Sequence, residues 1–74
     1  MKLKFYGRLK EFVDGKDSVE IELPSERKLV EIIRQLNIPE KYVSFAEKDG
    51  QKIELDSMVN DVDEIIILPL LSGG

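Results

Sequence analysis

The chain contains no cysteine, no histidine and no tryptophan. Without cysteine there is no disulfide staple and no thiolate nucleophile. Without histidine, Ser–His catalysis and nearly all zinc sites are excluded as well. Positive charge is in deficit: 11 Lys and Arg stand against 15 Asp and Glu, a formal net charge of −4. Phosphate backbones are bound by basic stripes, so nucleic acid is not an expected partner. Long apolar runs are missing too. The longest, Ile65 to Leu68, falls far short of the ~20 residues that a membrane helix needs, so no membrane partner is expected either. No charged-then-apolar leader opens the chain, and the expected location is the cytoplasm. No phosphate-cradling glycine loop occurs. These gaps argue against an enzyme with a self-contained active site.

What is present is branched aliphatic and charged. With 42% apolar and 35% charged residues in 74, the chain is expected to fold as one domain spanning residues 1–74, with residues 70–74 as a flexible tail. Lys2-Leu3-Lys4-Phe5-Tyr6 alternates and predicts a strand with Leu3 and Phe5 on one face. Leu9, Phe12 and Val13 recur at helical spacing, and Asp14-Gly15-Lys16-Asp17 carries turn chemistry. Alternation returns from Ser18 to Leu23, with Val19, Ile21 and Leu23 facing inward and pairing antiparallel with the first strand. Ser25 is placed as the cap of a helix whose stripe is Leu29, Ile32, Ile33 and Leu36, ended by Asn37 and Pro39.

The second half predicts strands again. Tyr42 to Glu47 puts Val43 and Phe45 on one face, Lys48-Asp49-Gly50 makes a tight turn, and Ile53 and Leu55 belong to a short edge strand. Residues 56–63 read as a loop or one helical turn tethered by Met58, Val59 and Val62. Asp61, Asp63 and Glu64 lack the spacing and the glycine of a calcium loop and read as a solvated charge run. Glu64 to Leu68 is apolar without alternation, the pattern of a strand buried on both faces or central in its sheet, and Pro69 closes it. One amphipathic helix needs one apolar sheet face to cover. The fold class is therefore α+β, a β-grasp with a mixed sheet of about five strands and the last strand set parallel to the first.

The sequence ends Pro69-Leu70-Leu71-Ser72-Gly73-Gly74. With glycine near 7% of residues on average, a chance pair at an end is expected in about 0.5% of chains. A frayed end explains it blandly. The chemical reading is that a carboxylate attacked inside another protein's narrow cleft benefits from having no side chains beside it, and glycine threads such a channel at little steric cost. The carboxylate is a poor acyl donor until it is converted to a mixed anhydride with AMP, so activation must come from a partner. Exposed apolar residues beside that tail, Pro69, Leu70 and Leu71, make candidate docking contacts; for either leucine the bland alternative is folding back on the sheet edge.

Three stretches together, Phe5-Tyr6-Gly7-Arg8-Leu9-Lys10-Glu11, the helix Leu29 to Leu36, and the ending from Asp61 to Gly74, resemble the MoaD/ThiS family of ubiquitin-like sulfur carriers. The likeness runs over essentially the whole chain and is greatest to the molybdopterin synthase small-subunit (MoaD) branch. It implies that Gly74 is adenylated by a partner related to ubiquitin-activating enzymes and converted to a thiocarboxylate, with Gly73 and Ser72 threading into that partner. It further implies that the sulfur passes to a pterin precursor in a complex with the large synthase subunit, in molybdenum cofactor biosynthesis. On this reading ATP and Mg are supplied by the activating partner, a sulfur donor recharges the tail, and the chain itself binds no cofactor and no metal. Val62 stands where the family often has glycine, and Leu70 where a second proline is frequent. Three other readings share the pattern: a small protein modifier joined to lysines through Gly74, a thiamine-pathway sulfur carrier, and a non-catalytic β-grasp interaction module.

Overall fold

The computed structural model of the chain describes residues 1–71. The alternating opening forms β1 (Lys2–Phe5), followed by a 3-10 helix over Gly7–Val13 that buries Leu9 and Val13, and then β2 (Ser18–Glu20). Two-residue β3 (Arg27–Lys28) runs directly into α1 (Leu29–Gln35). A single 3-10 turn at Glu40–Tyr42 leads to β4 (Val43–Lys48), β5 (Gln51–Ile53), two-residue β6 (Met58–Val59) and β7 (Glu64–Pro69).

Five strands form one mixed sheet in the order β2-β1-β7-β4-β5. β7 is central and runs parallel to β1, while its pairing with β4 and the outer pairs are antiparallel. This is the β-grasp arrangement, with the helix on one face. Leu3 and Phe5 of β1, Ile65 and Ile67 of β7, Ala46 of β4 and Leu29, Ile32 and Ile33 of α1 form one buried cluster. The β4–β5 hairpin turns through Asp49 (φ 53°) and Gly50 (φ 78°). Two consecutive positive-φ residues match the twist of the flanking strands.

Three expectations need correction. The helix begins at Leu29, not near Ser25, and Ser25 does not cap it: Arg27 and Lys28 pair with Val59 and Met58 in a second, two-stranded sheet. The first-turn N–H groups of Leu29 and Val30 donate instead to the carbonyls of Ser57 and Leu55, at 2.9 and 2.8 Å, which satisfies two of the helix's orphan donors. Met58–Val59 is thus a strand, and of the three proposed tethers only Val59 is buried. Within β4 a bulge between Val43 and Phe45 moves Ala46, not Phe45, to the core face with Val43, because the extra residue shifts the alternation by one. β7 is central in its sheet, as its apolar run predicts; one of its faces is fully covered, and Ile66 and Leu68 on the other are half-buried. The predicted end of the helix is observed: Asn37 adopts φ 61°. Its N–H donates to Arg34 O and that of Ile38 to Ile33 O, the paired bonds that close a helix through a left-handed residue.

Candidate functional site

The tail expected to carry the chemistry leaves the sheet where β7 ends. Pro69, half-buried, is the last residue of β7 and sits opposite Val43. Proline donates no ladder hydrogen bond, so the strand stops there. One residue on, the Leu70 N–H donates to the Tyr42 carbonyl at 2.8 Å. That bond fixes the direction in which the chain leaves the sheet. Leu70 is 51% exposed and Leu71 86%; neither folds back onto the sheet edge. Ser72, Gly73 and Gly74, the proposed threading and reacting residues, lie outside the described residues.

Residues outside the tail, with no site role expected from sequence, shape this exit. Gly7 follows β1 with φ +59°, and a Cβ there would stand 3.3 Å from Pro69 Cγ. Glycine therefore meets two demands, a left-handed backbone and close packing on the proline. The Tyr42 ring stacks on Phe12 with centroids 5.7 Å apart. The Arg8 guanidinium lies 4.5 Å from the Tyr42 ring centroid and the Lys41 ammonium 5.3 Å from it. Gly7 was visible as a glycine directly after a strand. Tyr42 and Lys41 carried no sequence signal beyond an aromatic and a charge, since their role comes from a 28-residue separation in the chain between Tyr42 and its tail contact, Leu70.

The outer face of the sheet continues the exit. Phe45, half-buried, is opposite Leu68, and the Lys52 ammonium lies 5.3 Å from the Phe45 ring centroid. With half-buried Ile66 and exposed Tyr6 and Leu70, this gives an apolar strip fringed by charge on the face not covered by the helix.

At the other end of β7, Asp61 and Glu64 are exposed as a solvated charge run should be, but Asp63 is not. Asp63 is 7% exposed. Its carboxylate accepts from the Asn60 N–H and from Lys48 Nζ, both at 2.9 Å. Burial pushes its carboxyl upward, but the Lys48 and Asn60 hydrogen bonds and the Lys48 charge outweigh burial and hold it below the ordinary value. Asp61 accepts from the Leu23 N–H at 2.9 Å and from the Met1 ammonium at 3.3 Å; the Leu23 bond is the main reason its carboxyl is also lowered. Glu64 is lowered by its hydrogen bond from Lys4, at 3.0 Å. These acids tie loops to the sheet. No group of three or more potential metal ligands occurs among the described residues.

The ThiS family model matches residues 3–74. The chain belongs to the ThiS family. It is thus a small ubiquitin-like sulfur carrier, of a family whose members have no active site of their own and work with adenylating enzymes and synthase partners. No curated protein sequence matches the chain. No helix among the described residues is long and apolar enough to cross a membrane. As a carrier, the chain is asymmetric about β7: buried Asp63 and exposed Asp61 and Glu64 tie down the strand's start, and exposed leucines, an aromatic stack and cations surround its exit.

Proposed function

We propose that this carrier bears sulfur on Gly74 and delivers it in molybdopterin synthesis. The Gly74 carboxylate attacks the α-phosphorus of ATP held with Mg by an activating enzyme, pyrophosphate leaves, and a glycyl adenylate forms. A sulfur nucleophile at the sulfide level, supplied by a donor, then attacks the acyl carbon. AMP departs and a thiocarboxylate remains. In a complex with the large synthase subunit that sulfur passes to the pterin precursor. The scaffold's contribution is to present the tail. The observation that carries this reading is the exit geometry: Leu70 is tied to Tyr42 by its backbone while its side chain and that of Leu71 stay exposed. A partner can therefore cover these apolar groups as it receives the residues that follow. The Pro69-Leu70-Leu71 approach to the glycines favours the molybdopterin branch over the thiamine one.

Intact-mass measurement after incubation with an activating enzyme, ATP and a sulfur donor tests the chemistry. The expected product is heavier by the replacement of one carboxyl oxygen by sulfur. An unchanged mass, where a known carrier is charged, refutes it. Complementation decides the pathway: the gene restores molybdoenzyme activity to a strain lacking its molybdopterin carrier and leaves a thiamine-carrier mutant auxotrophic. The reverse pattern overturns the molybdopterin assignment and retains the carrier.

A further inference from the structure

The root of the tail carries charge of the sign that the chain as a whole has in deficit. The net charge is −4, yet two exposed cations, Arg8 and Lys41, are gathered on the single ring of Tyr42. They come from separate segments, one from the 3-10 helix after β1 and the other from the turn before β4. Lys4, Lys10, Arg27, Arg34 and Lys48 each have a carboxylate partner; among the described residues Arg8 and Lys41 make no such pair, nor do Lys2, Lys16, Lys28 and Lys52, but only Arg8 and Lys41 share one ring beside the tail. Stacking on an aromatic ring leaves the charge available while restricting the side chain. Less ordering then remains to be done when an anion arrives. The Phe12 ring stacked on Tyr42 steadies the platform, and the Tyr42 carbonyl holds Leu70 at 2.8 Å. The cations are thereby fixed relative to the chain that enters the partner.

We infer that Arg8 and Lys41 form an electrostatic docking clamp for a cluster of Asp and Glu side chains on the activating enzyme, bordering the opening that receives the tail. The inference rests on the carrier reading above and adds a partner surface to it. Protein carboxylates fit better than a free anion because the cations share an open surface with exposed Leu70 and Leu71. Apolar contacts ringed by charge are the make-up of a protein–protein contact. Charge at such a rim acts mainly on encounter, so its signature is concentration dependence and salt sensitivity.

Pyrophosphate release by the activating enzyme, followed with the full chain as varied substrate, provides the test. Arg8→Glu and Lys41→Glu each raise the KM for the carrier by about 3–10-fold and together by about 10–100-fold, with kcat unchanged. The difference narrows at high ionic strength, and Arg8→Lys retains most of the wild-type KM. Lys28→Glu, the same charge change on the β3–β6 ribbon, leaves KM unmoved, which separates a local clamp from net charge. Melting curves confirm that each variant is folded. The clamp is overturned if the double variant keeps the wild-type KM at low salt, if Lys28→Glu shifts KM equally, or if the KM for ATP moves instead. Absence of any charging of the wild-type chain is a different result, which removes the carrier reading and the clamp with it.

Discussion

At its start, β7 is pinned by carboxylates; at its end it is held by one backbone hydrogen bond, a proline packed on a glycine, and a stacked ring. Asp61 and Asp63 bring together the N-terminal ammonium, Leu23, Asn60 and Lys48. Tyr42, Gly7 and Phe12 gather Leu70, Pro69 and two cations. The first end uses its charges internally, and its strength depends on pH. The second is secured by uncharged contacts, which leaves Arg8 and Lys41 available to another molecule. The internally paired charges thus sit at one end of the strand and the exposed cations at the other, where the proposed reading places the partner.

The largest effect is expected at the tail. Removing Gly73 and Gly74 abolishes charging, read by intact mass, while the melting temperature stays at the wild-type value. Next in size is Asp63→Ala, which strands Lys48 and the Asn60 N–H and costs about 1–3 kcal/mol in urea denaturation at neutral pH. The same carboxylate sets a pH dependence. Its folded-state value lies below the ordinary 3.8, so its stabilisation is complete above that value and is lost as pH falls through the lowered one. Asp63→Asn therefore flattens the acid side of the stability profile, and Asp61→Asn, whose carboxyl is shifted the same way, flattens it further. Gly7→Ala strikes the tail end: a side chain at φ +59° and 3.3 Å from Pro69 Cγ costs about 1–2 kcal/mol, measured by denaturation, with no change on the acid side. Smallest is Asp17→Asn. Its carboxyl is lowered by the hydrogen bond from Lys10, but the pair is exposed at 38% and 85%, and an exposed pair of this kind leaves the melting temperature unaltered.

Elements whose pattern is local were legible. Leu29, Ile32 and Ile33 are fully buried at the spacing that announced them. Asp49-Gly50 turns the hairpin, and the apolar run before Pro69 is the central strand. What was misread depends on partners distant in the chain. Arg27 and Lys28 carry a helix-like sequence but are claimed by Met58 and Val59. Ser44 is unremarkable in sequence and becomes the bulged residue because Phe45 pairs with Leu68 and Val43 with Pro69. Asp63 reads as surface charge and is buried because Lys48 and Asn60 meet it.

The sequence by itself determined the fold class, the helix face, the central strand and the family, since these rest on periodicity, turn chemistry and a distinctive ending that neighbouring residues specify. Only the tertiary structure decided which charges are consumed and which are left exposed. Pairing brings Asp63 to Lys48 and Tyr42 to Leu70 across the sheet, and whether a charge is neutralised depends on distances in space that residue order does not encode.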